Sequence, residues 1–150
     1  MLSTNVIHLE AMKRSYPLLK QNDIAIGEAT YENMFRHHPE LKAMFKNTST
    51  EQGKKLIDAI LFHCEEADNY ELFYKRLDNI AHIHINFGIK NEYYPYMRDA
   101  FISAIKCVLK DQATEEFINA WRYGFNSLSN ELIHVENLVR KHQATLSTNS

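Results

Sequence analysis

The run Ile80-Ala81-His82-Ile83-His84-Ile85-Asn86-Phe87-Gly88 closes a helical pattern that opens near Tyr70, because Gly88 is the residue expected just past a helix end. With Leu77 as zero and about 100° per residue, Phe73 falls at about −40°, Ile80 at about −60° and Ala81 at about +40°. His84 falls at about −20°, in the middle of this stripe, while His82 falls at about +140° and faces away. A metal clamp made of His82 and His84 together would need strand geometry, so it is set aside. An inward imidazole by itself fits two readings. It is a core histidine bonded to backbone, the commoner case, or a metal ligand.

Outward from this helix, punctuation divides the chain into about six helical segments. The first is expected over about Asn5 to Leu19, capped by Ser3 or Thr4, with Val6, Leu9 and Met12 inward and Pro17 disturbing its last turn. The second opens after Asn22 and Asp23, carries Ile24, Gly27, Tyr31, Met34 and Phe35 at helical spacing, and breaks at His37-His38-Pro39. Glu40 to Phe45 allows a short turn, and Lys46 to Thr50 is a polar stretch before a third helix over about Glu51 to Ala67. Pro95 lies just inside a fifth, with Met97, Phe101, Ile105 and Val108 inward. The sixth starts near Thr114 and holds its stripe through Trp121, Phe125, Leu128, Leu132 and Val139, before a polar tail from Gln143 to Ser150 expected to fray.

Composition agrees with helices packed as one domain. Of 150 residues, 45% are apolar and 24% charged, and four glycines and three prolines are too few for a turn-rich sandwich or a disordered chain. The net charge of −2 and the absence of a basic block argue against nucleic acid and against an anionic membrane surface. Apolar runs fall far short of the roughly 20 residues that cross a bilayer. His8, Glu10 and Lys13 interrupt the start, so no secretory signal is expected; two cysteines, Cys64 and Cys107, make no disulfide framework. A reduced, cytoplasmic protein is the expectation.

The same angular reckoning finds other polar groups on apolar faces. On the third helix Leu56, Ile60 and His63 share a side, with Gln52 about 40° from Leu56. Tyr31 and Tyr94 point inward, and a buried hydroxyl wants a partner. Glu136 lies within about 40° of Leu132 and Phe125, and its place near the chain end favours an exposed edge over a buried acid. One His, one Gln, one Glu and two Tyr thus converge in a small domain, where each group left unpaired costs roughly 1 to 3 kcal/mol. A bound cofactor removes that difficulty.

These positions fall within a set of separate motifs in a fixed order: the Ile-Ala-x-x-His-x-x-x-Gly of Ile80 to Gly88, then Tyr93-Tyr94-Pro95 and Ala104-Ile105-Lys106. Around them stand His38-Pro39-Glu40-Leu41, Met44-Phe45, Glu51-Gln52, Ala120-Trp121, Tyr123-Gly124 and Val135-Glu136. Over about Asn5 to His142 the chain resembles the globins, most closely the bacterial single-domain haemoglobins related to the haem domain of flavohaemoglobins. The resemblance implies an all-α fold, a three-over-three helical sandwich around haem b, filling residues 1–150 as one domain with its core over about 5–142.

It also implies roles. His84 matches the proximal ligand of the haem iron, and Tyr94 and Glu136 match a hydrogen-bonded pair behind that imidazole. Tyr31 and Gln52 match polar residues on the opposite side that stabilise the bound gas. Phe45 matches an aromatic wedge and Leu56 an apolar wall, although plain core packing explains both equally well. Gly27 and Gly53 match a close crossing of the second and third helices. Some relatives carry proline where Gly53 stands, so the start of the third helix is expected to move differently here. The polar stretch 46–50 is expected to influence which of Tyr31 and Gln52 meets the ligand.

Implied function is reversible binding of dioxygen at a five-coordinate iron, supporting oxidation of nitric oxide to nitrate. Carbon monoxide is a further expected ligand. The chain as read to Ser150 leaves no room for a flavin- and NAD-binding reductase, so an external electron-donating reductase is the expected partner, with the protein a monomer or homodimer. An oxygen carrier or reservoir and a gas-sensing module are the rival functions. His63, about three turns beyond Gln52, is a weak candidate for a second axial ligand.

Overall fold

A computed structural model describes residues 4–45, 51–65 and 69–148. Among these are six α-helices: α1 (Thr4–Gln21), α2 (Asp23–His37), α3 (Gln52–Glu65), α4 (Tyr70–Phe87), α5 (Tyr93–Leu109) and α6 (Glu115–Thr148). Short 3-10 helices cover Pro39–Phe45 and Lys110–Gln112, and there is no strand among the described residues. The layer of α2, α5 and α6 is crossed by α1, α3 and α4, with α2 packed on α5 and α3, and α6 receiving α1 and α4. This is the all-α, three-over-three arrangement that was expected.

Helix α4 has the expected bounds. Asn69 caps it by accepting from the Leu72 amide at 3.2 Å, and Gly88 ends it in the left-handed conformation, at φ 78°. That region is cheap only for glycine. The turn folds back so that the Ile89 amide donates to the His84 carbonyl at 2.9 Å.

Helices α2 and α3 cross at Gly27 and Gly53. A Cβ added to Gly53 would lie 2.6 Å from the Gly27 carbonyl carbon, and one added to Gly27 would overlap the Gly53 backbone. Backbones that close admit no side chain.

The buried apolar groups form two clusters, and Met97 packs against both. The larger includes Leu19, Ile57, Leu77, Phe101, Ile105 and Trp121. The smaller is built on Met34, Leu41 and Ala100. Buried Trp121 donates its indole N–H to Ser15 Oγ at 2.8 Å, and Ser15 donates to the Ala11 carbonyl at 2.7 Å, so the α1/α6 contact leaves neither group unpaired.

Several boundaries and faces differ from expectation. Helix α1 runs through Pro17 to Gln21, because the ring costs one internal hydrogen bond and the α6 contact holds the turn. Its buried stripe is Ala11, Met12, Ser15 and Leu19, while Val6 and Leu9 are each 38% exposed. Small Ala11 and polar Ser15 fit the close α6 face, and the bulkier residues were the wrong guide. On α2 the stripe is Ile26, Gly27, Thr30 and Met34, and Ile24, at the near end of the helix and off the centre of that stripe, is exposed. Helix α6 extends to Thr148; Gln143, Ala144 and Leu146 are good helix formers, so polarity alone did not end it. Ser3 and the stretch 46–50 lie outside the described residues, as do 66–68 at the expected end of the third helix.

Candidate functional site

A cavity of about 540 Å³ opens between the layers, with members of both apolar clusters in its walls. Tyr31 from α2, Phe45 from the 3-10 turn, and Gln52 and Leu56 from α3 line it, together with His84 from α4 and Tyr94 from α5. Six of the seven expected site residues therefore meet at one cavity. The seventh, Glu136, stands behind Tyr94.

His84 is oriented by a chain of side chains. Its Nδ1 lies 2.7 Å from the Tyr94 hydroxyl, and that hydroxyl donates to Glu136 Oε2 at 2.5 Å. Tyr94 has one proton, so with Glu136 taking it the phenol oxygen accepts from His84 Nδ1–H. The lone pair of the imidazole is thereby left on Nε2, which makes no hydrogen bond to the described residues. Burial holds the His84 imidazole down to about 4 and hence neutral. Burial likewise pushes the Tyr94 hydroxyl well up, with the Glu136 carboxylate acting in the same sense.

Glu136 is fully buried, which corrects the exposed edge expected of it. Helix α6 continues past it and α4 packs alongside, so nearness to the chain end did not bring nearness to water. Burial raises its carboxyl, opposed by the Tyr94 hydrogen bond and by the Arg140 charge. Oε1 makes no hydrogen bond and faces Arg140 Nη2 at 3.8 Å.

Across the cavity, burial raises the Tyr31 hydroxyl and a hydrogen bond with Gln52 opposes the rise. That sense is the one expected if the Gln52 amide donates to the phenol oxygen, leaving the Tyr31 proton free for an acceptor in the cavity. The Tyr31 ring meets the edge of Phe45 at 5.4 Å, and Phe35 joins both. His63 does not line the cavity. It lies against Phe73 at 5.1 Å, its Nδ1 buried without a partner. His82 is exposed and pairs with Asp78 at 3.6 Å.

The sequence reading missed two cations. Lys55 lines the cavity from an exposed position, and Arg140 approaches Glu136. Their signals were spacing alone: Lys55 is three residues after Gln52, and Arg140 four after Glu136.

The globin family's sequence model matches residues 28–132. The chain is a globin. A flavohemoprotein of Halalkalibacterium halodurans is 33% identical over 130 residues, covering 85% of this chain and 32% of its own. The present globin thus spans about a third of the length of that relative. A bacterial globin from Campylobacter jejuni superposes with a TM-score of 0.80 at 30% identity, over 89% of this chain and 97% of its own. An engineered carbene transferase, made from a candidate nitric oxide dioxygenase of Rhodothermus marinus, superposes at 0.82 with 26% identity, over 96% and 99%. Membership of this family supports haem as the cofactor of the globin and oxygen binding as its property. No helix of the described residues is long and apolar enough to cross a membrane.

Proposed function

We propose that this globin holds haem b through His84 as its one protein ligand, binds dioxygen on the side of Tyr31 and Gln52, and supports oxidation of nitric oxide to nitrate. The observation that carries the reading is the His84–Tyr94–Glu136 chain on one side of an apolar cavity with a Tyr31–Gln52 pair on the other. The residues present fit haem. Among the described residues no three His, Cys, Asp or Glu side chains cluster to hold a bare ion, whereas a metal already held by a macrocycle needs only the one free imidazole nitrogen present. The cavity volume is within the roughly 300 to 1,000 Å³ of small-molecule sites. Apolar walls suit a macrocycle, and Lys55, which lines the cavity from an exposed position, would offer a cation to its carboxylates.

When bound, haem supplies an iron that takes up diatomic gases and exchanges electrons. The protein's own work is placement. Tyr94 and Glu136 fix the His84 tautomer and make Nε2 more basic. Phe45 and Leu56 wall the cavity against water, and Tyr31 presents a proton, with Gln52 behind it, to a ligand gaining negative charge. The resemblance to flavohemoproteins and to the Rhodothermus marinus protein supports nitric oxide as the substrate and an external reductase as electron donor.

The test is an absorption spectrum of haemin-loaded protein, ferric and then reduced, before and after carbon monoxide. A five-coordinate ferrous form that converts cleanly is expected, and His84→Ala is expected to lose haem on a desalting column. Retention at wild-type strength removes the ligand assignment. The rate of oxygen release, set beside the rate at which the oxygen-bound protein consumes nitric oxide, then separates the two roles: slow release with fast consumption is expected of the dioxygenase, and fast release favours an oxygen carrier.

A further inference from the structure

One guanidinium reaches both supports of His84. Arg140 Nη2 stands 3.8 Å from Glu136 Oε1 and donates to the Ile89 carbonyl at 3.2 Å. Ile89 is the residue after the α4 cap, and its amide donates to the carbonyl of His84 itself at 2.9 Å. Two lines therefore leave Arg140 and end on one histidine. The first runs through side chains, Glu136 and Tyr94 to Nδ1; the second runs through the backbone of the turn.

We propose that Arg140 is a positioning residue of this site, locking the His84 ring and the His84 backbone into one fixed relation and holding the phenol proton of Tyr94 toward Glu136. The inference rests on the reading of His84 as the haem ligand.

The chemistry follows from polarity. Glu136 is fully buried, and Oε1 has no hydrogen-bond donor. Tyr94 and Arg140 are the groups that act on its charge. An isolated buried carboxylate is costly, and Arg140 compensates it from a position 38% exposed, where it keeps part of its own hydration. The positive charge on the Oε1 side favours the ionised carboxylate against burial, so Oε2 stays an acceptor for the Tyr94 proton and the phenol oxygen remains an acceptor for Nδ1–H. Were the chain of donors reversed, the imidazole proton would sit on Nε2 and block ligation. The bond to Ile89 does the mechanical half of the work, since the turn cannot shift from α6 without releasing the guanidinium from the carbonyl.

R140M and R140K test this. The iron–imidazole stretching band of the reduced, haem-loaded protein reports the basicity of the ring, and amide exchange at Ile89 in the haem-free protein reports the turn. In R140M we expect haem to be retained, the band to move to lower frequency, and Ile89 exchange to quicken about tenfold, the scale of one lost hydrogen bond of this strength. R140K, which keeps the charge, is expected to restore most of the band shift. An R140M protein in which either readout stays at the wild-type value overturns the proposal, and so does a band shift that lysine leaves unrestored. Full haem retention by H84A is a separate result, defeating the ligand reading beneath it.

Discussion

A phenol has a single proton, and Tyr94 stands between an imidazole and a carboxylate. Replacing it by Phe removes the donor to Glu136 and leaves a buried carboxylate with no hydrogen bond. We expect Tyr94→Phe to lower unfolding free energy by about 1 to 3 kcal/mol, read by urea titration of the haem-free protein. Across the cavity, Tyr31→Phe and Gln52→Leu are each expected to speed oxygen release about tenfold, the worth of one hydrogen bond; stopped-flow displacement by carbon monoxide measures it, and unchanged rates in both variants remove the distal-donor role. Much at this scale was legible. His84 could be told from His82 by angle alone, since 200° separates residues two apart. Glu136 could not be placed, because burial of a carboxylate depends on what packs over it, and no periodicity encodes that. Lys55 and Arg140 escaped for a related reason: long cations ordinarily mark solvent, and only their partners show otherwise.

Helices carry their own predictions. Gly27→Ala forces a methyl group into the Gly53 backbone, and overpacking against main chain costs about 1 to 3 kcal/mol or more. A lowered melting temperature is expected, together with altered oxygen release, because α2 and α3 must separate. An unaltered melting temperature would show that the crossing gives way. On α3, burial lowers the His63 imidazole below its ordinary value near 6.5. The unfolded chain takes up a proton near pH 6.5 and the folded chain does so only at lower pH, so stability is full above that value and falls as the solution is acidified. Melting of haem-free His63→Leu at pH 7 and pH 5 is expected to show a smaller acid loss than the wild type; an equal loss places the sensitivity elsewhere. Element ends set by glycine or proline chemistry, as at Gly88 and Pro95, were readable because those residues act locally. The faces of α1 and the end of α6 were not, since a neighbouring helix decides them.

In the molecule as a whole, both apolar clusters contribute to the walls of the cavity, with Met97 packed against each. A ligand that fills it adds contacts to both. Haem bound to the folded state alone adds about 2.7 kcal/mol of stability at a free concentration one hundred times its dissociation constant. Melting of haem-free and haem-loaded protein in parallel is expected to show a higher transition for the loaded form, and coincident transitions would mean that binding is not linked to folding. The fold class was readable from composition and spacing together, since a chain so poor in glycine and proline with 3.6-residue periodicity has few other arrangements. The cavity was implied only by polar groups on faces that should have been dry.

The glycine crossing has one more consequence. Tyr31 lies one turn after Gly27, and Gln52 immediately precedes Gly53, so the gap between phenol and amide is gauged by two backbones in contact, like the jaws of a caliper closed on bare metal. Exchanges at Leu56 can reshape the chamber without altering that backbone gauge, whereas Phe45 rests against the Tyr31 ring and bears on the phenol directly. A substitution at either glycine is therefore expected to reset the spacing of the two polar groups, which a change in a wall such as Leu56 leaves alone.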